Sequence, residues 1–151
     1  MSARERLAEL GLELPAVVPP LASYVPAVRT GSLVFTSGQL PLAGGELGDV
    51  GKVGGQVTPE RAKELARLCA LNGLAAVDAL VGLDSVVRVV KVVGFVASTP
   101  DFTGQPGVVN GASELLGEVF GEAGQHARSA VGVASLPLDA PVEVELVVEV
   151  A

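Results

Sequence analysis

Hydrophobic and polar positions alternate most regularly near the C-terminal end of the chain. From Val142 to Val150, Val142, Val144, Leu146, Val148 and Val150 point one way and Glu143, Glu145 and Glu149 the other, the period of two of a half-buried β-strand. Ala127 to Ala134 alternates as well, with Arg128, Ala130, Gly132 and Ala134 on one face and Ser129, Val131 and Val133 on the other. Val86 to Ala97 is apolar apart from Arg88, Lys91 and a glycine, which predicts a central strand covered on both faces and ended by Pro100.

Elsewhere the period is that of a helix. Thr58 and Pro59 predict a helix start, and Ala62, Leu65, Ala66, Cys69, Gly73, Ala76 and Leu80 recur at helical spacing as far as Gly82. A second helix opens at Thr103 and Pro106, buries Val109, Ala112, Leu116, Val119 and Phe120, and closes at Gly121 and Gly124, with Asn110 off the apolar stripe. Ser2 and Glu5 form a capping box for a short peripheral helix within residues 1–14, and Pro15, Pro19 and Pro20 then enforce an extended path to Tyr24. Ser23 to Ala27 and Leu33 to Ser37 read as strands joined at Arg29 to Ser32. The glycine-dense stretch from Ala43 to Gln56 reads as a mobile surface loop. It is not a phosphate loop, because Glu46 stands where the motif needs glycine and Val53 where it needs Ser or Thr.

The order strand, strand, helix, strand, helix, strand, strand predicts an α+β two-layer fold, a single domain over residues 1–151 with its helices on one face of the sheet. So short a chain has no second helical layer, so the other sheet face is expected to be buried against further subunits. A net charge of -7 with ten scattered Lys and Arg excludes an extended phosphate-binding surface, hence nucleic acid as a partner. Cys69 is the only cysteine, the start of the chain lacks an apolar signal region, and no 18-residue apolar run suggests a membrane span, so a cytoplasmic location is expected. Aromatic residues number four Phe and one Tyr, which leaves the core to Val, Leu and Ala and singles out Tyr24.

Candidate chemistry centres on Arg128. A guanidinium beside a row of very small residues leaves a backbone-lined space with a fixed cation, suited to a small carboxylate held bidentately. The same small residues also serve simply to let a helix pack closely, and both readings stand on this strand alone. Cys69 falls within a buried stripe and is read as structural. His126, the only histidine, could share the face of Arg128 and is read as a rim residue; with no second ligand in sight, no metal site is expected.

Thr36 to Pro41 (ThrSerGlyGlnLeuPro), Asn110 in the second helix, and above all the block AlaArgSer-x-Val-x-Val-x-x-LeuPro at Ala127 to Pro137 resemble the reactive intermediate deaminase family (RidA, formerly YjgF). The resemblance covers roughly Tyr24 to the C-terminus. It implies a chorismate-mutase-like fold with a mixed sheet, a homotrimer with sheets facing inward, a pocket at each subunit interface, and hydrolysis of imines and enamines without a cofactor. It further implies that Arg128 grips a substrate carboxylate, that Glu143 holds and activates water, and that Tyr24, Ser37, Gly38, Asn110 and Ala130 line the pocket. Ala130 replaces a cysteine found in many members, which excludes a thiol at that position, and His126 replaces the family's proline. A simple hairpin of the last two strands would leave Arg128 about 17 Å from Glu143 along the ladder. The implied sheet order avoids the hairpin by inserting the final strand between the first and second core strands. The reaction so implied turns 2-aminoacrylate or a related 2-imino acid into a 2-keto acid and ammonia. The alternative is a non-catalytic trimer that binds small carboxylates or partner proteins in the same clefts. An endoribonuclease, the remaining reading, needs a basic groove and a histidine base.

Overall fold

The computed structural model describes all residues 1–151. Helix α1 (Ala3–Glu9) has the expected capping box: Ser2 Oγ accepts from the Glu5 amide at 3.1 Å, and Glu5 Oε2 accepts from the Ser2 amide at 2.9 Å. Its Leu7 belongs to the same cluster of 26 buried residues as the strands and the two long helices.

Strands β1 (Ala27–Thr30) and β2 (Leu33–Thr36) form a hairpin around Gly31 and Ser32, where Gly31 takes a φ of 57°. The first strand therefore begins where the sequence reading ended it. Thr30 pairs directly with Leu33, so Arg29 and Thr30 belong to the ladder, and Tyr24 lies in a bend that Pro26 separates from the strand. The glycine-dense stretch also departs from expectation. Its beginning forms a small hairpin, β3 (Leu42–Ala43) with β4 (Glu46–Leu47), turned at Gly44 and Gly45 with φ of 61° and 82°. Further along, Val53 is fully buried and bridges both Val57 and Ser98. A loop that places a valine in the core is not a solvated surface loop.

Helix α2 (Pro59–Val81) starts where predicted, with Thr58 Oγ1 accepting from the Arg61 amide at 3.1 Å, and stops at Gly82 with a φ of 81°. Strand β5 (Val86–Ala97) follows, then α3 (Gln105–Phe120), β6 (Ala127–Val133) and β7 (Val142–Val150). Instead of a hydroxyl cap at Thr103, α3 begins after Gly104 with no side-chain cap, and Pro106 occupies its first turn.

The five long strands form one mixed sheet in the order β1-β2-β7-β5-β6, with only β5 and β6 parallel. The last two strands are therefore not adjacent. The final strand sits one place further in than the sequence reading had it, between β2 and β5.

Helices α2 and α3 cover one face of this sheet, and the alternation along β7 follows: Val142, Val144, Leu146, Val148 and Val150 are buried and the residues between them half-buried. Nothing in the chain covers the other face. Phe35 there is 44% exposed and Val131 43%, and Val93 and Phe95 are only partly buried, so β5 is covered on one side rather than two.

The helix layer lies close because the residues at the contacts are small. At Gly111 of α3 the backbones of the two helices touch: a Cβ there would lie 2.9 Å from the Lys63 carbonyl carbon of α2. Neither backbone can yield without lifting a whole helix. Gly111→Ala is expected to cost about 2–3 kcal/mol, the usual penalty of overpacking a filled site. Urea unfolding monitored by circular dichroism measures it, and an unchanged midpoint would show that the layer is looser than this.

Candidate active site

Each candidate residue owes its place to strand alternation or to a helix face. Residues opposite one another on neighbouring strands share a face of the sheet. Arg128 lies opposite Val92, which lies opposite Leu146, and both of those are buried beneath the helices. Arg128 and, two residues on, Ala130 thus face the helix layer at the edge of the sheet. Glu143 lies opposite Phe95, which lies opposite Val131, in a row on the uncovered face. Along β5 the two rows are three residues apart, about 10 Å, and β5 itself stands between the strands that carry them. Within one chain Arg128 and Glu143 are on opposite faces and do not meet.

The structure divides the expected site into two halves. Tyr24, Ser37, Gly38 and Glu143 line one cleft of about 500 Å³, together with Leu21 and Pro137. Ser37 donates its hydroxyl to the Val25 carbonyl at 2.6 Å, so toward a ligand it can only accept. Tyr24 accepts from the Leu21 amide at 3.1 Å, which leaves the phenol proton free to be donated. Gly38 is held over β7 by the next residue, since Gln39 and Val144 exchange amide to carbonyl bonds of 2.8 and 3.0 Å. Asn72 of α2 secures the segment from below by donating to the Leu40 and Leu42 carbonyls, both at 3.1 Å. The absence of a side chain at Gly38 is what admits the Glu143 carboxylate, because a Cβ there would lie 2.7 Å from its Cδ. Burial pushes this carboxyl above the ordinary value of 4.5, and the charge of Glu145 adds to the shift.

The second half surrounds Arg128, which is partly buried against α3. Its Nη1 donates to Asn110 Oδ1 at 2.8 Å and to Ser113 Oγ at 3.2 Å, and its Nη2 donates to the Pro106 carbonyl at 3.2 Å. Six ion pairs form in the chain, and Arg128 takes part in none of them. A guanidinium has five N–H donors. Three are engaged by neutral acceptors, and two remain, the number a carboxylate accepts as a fork. Ala130 packs on the main core beside this group.

Sequence reasoning missed Ser113 and misplaced His126. Ser113 stands three residues beyond Asn110, on the same side of α3. His126 is not a free rim residue: its Nε2 lies 2.8 Å from Ser113 Oγ and its Nδ1 2.6 Å from the Gly124 carbonyl. The available signal was the two-residue spacing from His126 to Arg128, which places both on one strand face. Cys69 is fully buried and burial pushes its thiol well above the usual range, so it stays structural. Two other clefts, of about 460 and 430 Å³, lie along the proline-bearing segment and contain neither Arg128 nor Glu143. Chemistry rather than volume distinguishes the site. No helix is long and apolar enough to cross a membrane.

Comparison with known proteins identifies the family and its fold. The family described as "YjgF/chorismate_mutase-like, putative endoribonuclease" matches residues 4–150. "Protein TCP17" of Trypanosoma cruzi is 47% identical over 147 residues, 95% of this chain and 91% of that protein. The "Putative reactive intermediate deaminase TdcF" of Escherichia coli K12 is 33% identical over 135 residues, 88% of each chain. The E. coli TdcF structure with bound serine superposes with a TM-score of 0.60 at 27% identity, covering 91% of this chain and 93% of that one. A solved "putative endoribonuclease" from Shewanella oneidensis superposes far better, with a TM-score of 0.95 at 33% identity over 99% of this chain and all of that one. The chain belongs to the YjgF, or reactive intermediate deaminase, family.

Proposed function

We propose that this protein hydrolyses 2-aminoacrylate or related 2-imino acids to 2-keto acids and ammonia, in sites completed between subunits of a homotrimer. The observation that carries the reading is Arg128: a partly buried guanidinium with three neutral acceptors, no acidic partner and two donors to spare. The uncovered sheet face supports assembly, since burying Phe35, Val93, Phe95 and Val131 against other copies removes apolar surface from water at about 25 cal/mol per Å². A neighbouring copy then supplies the half-site that the first one lacks. TdcF is named as a reactive intermediate deaminase, and it has been solved with serine, an amino acid whose carboxylate is of the kind Arg128 is suited to hold.

An imine carbon is electrophilic once its nitrogen is protonated, so the protein has only to orient the substrate, place a water and move protons. Arg128 fixes the carboxylate through its two free donors. Glu143 of the neighbouring copy takes a proton from water as the oxygen adds to the imine carbon. The resulting carbinolamine accepts that proton on nitrogen, the C–N bond breaks with its electrons going to nitrogen while Glu143 takes the hydroxyl proton, and the 2-keto acid leaves with ammonia, which carries that last proton away as ammonium. An enamine such as 2-aminoacrylate first takes a proton at its terminal carbon to reach the imine. Burial raises the Glu143 pKa, which suits a group that must both receive and return a proton. An endoribonuclease reading finds less support: the charge is -7 and the single histidine is already bonded to Ser113 and Gly124.

The deciding experiment generates several amino-acid-derived imines in place, lets semicarbazide compete for them, and measures whether the purified protein diverts them to 2-keto acid. Sedimentation at micromolar concentration is expected to show a trimer, and a stable monomer would remove the shared site. Arg128→Ala should abolish calorimetric binding of pyruvate or benzoate while leaving the oligomer intact; undiminished affinity would place the anion site elsewhere.

Glu143→Gln should lose roughly 100-fold or more in turnover, the usual share of general acid-base catalysis, yet still bind carboxylate. If it hydrolyses imines as fast as the parent, Glu143 is a solvated strand residue. Hydrolysis absent from the parent as well, across all imines, would favour a carboxylate-binding module.

Glu143 also links stability to pH. The folded state holds its proton more tightly than the unfolded chain does, so this group's contribution is fully present below pH 4.5 and is lost as pH rises through the raised value. Glu143→Gln should therefore gain in urea midpoint relative to the parent between pH 4 and 7, and parallel curves would count against the buried carboxyl.

A further inference from the structure

We infer that Ser113 and His126 are positioning residues for the carboxylate site, acting on the ligand only through Arg128. The inference rests on the reading of Arg128 as the carboxylate grip and adds to it a second line of residues behind that guanidinium.

The argument is one of proton placement. The Gly124 carbonyl can only accept, so His126 Nδ1, at 2.6 Å, must carry the ring proton. In the neutral ring Nε2 is then a bare acceptor, and Ser113 Oγ, at 2.8 Å, must donate to it. A hydroxyl has one proton. With that proton committed to His126, what Ser113 turns toward Arg128 Nη1 at 3.2 Å is a lone pair, the only thing a cation's N–H can use. The opposite tautomer would set the Nδ1 lone pair against a carbonyl oxygen and aim the serine proton near a guanidinium. Gly124 is buried and pressed on α3, where a Cβ would lie 2.8 Å from the Leu116 carbonyl carbon, so the carbonyl that begins the relay is itself fixed.

The consequence is rotational. Asn110 and the Pro106 carbonyl hold the guanidinium from α3, and each leaves it some freedom to swing. Ser113 takes the second proton of Nη1, and with both protons of that nitrogen engaged, Nε–H and the remaining Nη2–H are left as the unengaged pair. A guanidinium held in that attitude meets a carboxylate with its fork already oriented, which lowers the ordering cost of binding. His126 contributes without approaching the ligand, by determining which way the serine hydroxyl points.

The test is a double-mutant cycle on benzoate affinity, measured by calorimetry on the intact oligomer. Benzoate serves as an unreactive carboxylate. Ser113→Ala, which introduces a strong helix former into α3, should weaken binding about tenfold, the size of one hydrogen bond to a charged group. His126→Phe should weaken it about three- to tenfold, with His126→Ala as its replacement if the larger ring disturbs folding. The combined variant should bind no worse than Ser113→Ala alone, because His126 has no path to the ligand that avoids Ser113. His126→Gln, whose amide oxygen can accept from Ser113, should recover most of the loss. On an imine substrate the same variants should raise KM and leave kcat within about twofold. Losses that add, or single variants that bind as the parent does, overturn the relay while leaving Arg128 as the grip. A parent that binds no benzoate, or an Arg128→Ala variant that binds it undiminished, overturns the carboxylate reading and the relay together.

Discussion

The two-residue alternation of a β-strand is the constraint on which the site depends. Once Val92, Leu146 and Arg128 stand in one row, and Phe95, Val131 and Glu143 in another, the cation is committed to the helix side of the sheet and the carboxylate to the bare side. No rotamer can reverse that. A residue slipped in the register of β7 would exchange its five buried apolar side chains for three glutamates and one valine, so the assignment is enforced by the whole core rather than by the site. In the proposed trimer, assembly and chemistry then become the same problem. The apolar side chains that make the bare face costly to expose accompany the carboxylate, so the surface that favours association also brings half of the chemistry to it.

Much of this was legible in the residues. The limits of α2 were readable because Thr58, Pro59 and Gly82 each act locally, through a hydroxyl cap, a preset φ and a left-handed exit. β5 and β7 were readable because valine content and alternation are properties of the strand itself. Tyr24 was misplaced because a tyrosine two residues before a proline scores the same in a strand or in a bend, and only the pairing of Thr30 with Leu33 decides where the ladder starts. The buried Val53 was invisible among glycines for a related reason: its partners are Val57 and Ser98, the second of which is 45 positions away.

The division of the site was only partly legible. The family resemblance implied that Arg128 and Glu143 stand on non-adjacent strands but could not give their relative face, which depends on the register of both against β5. Ser113 carried no signal of its own, being a half-buried serine on a helix. His126 carried a weak one, since its spacing from Arg128 put the two on one face without saying what lay between them. Groups that act through others are the hardest to find in a chain because their chemistry is completed by a neighbour's backbone, here the carbonyl of Gly124.

The sealed thiol of Cys69 has a practical consequence. It is the only sulfhydryl in the chain, it sits in the main core with Sγ 3.7 Å from the Val142 carbonyl, and it has no access to solvent. An alkylating reagent added to the native protein finds nothing to modify until α2 parts from the sheet. The rate of its capture is therefore a clock for opening of the core, readable by mass spectrometry without introducing any label, and it would time substitutions at Gly111 or Asn72 in the same units.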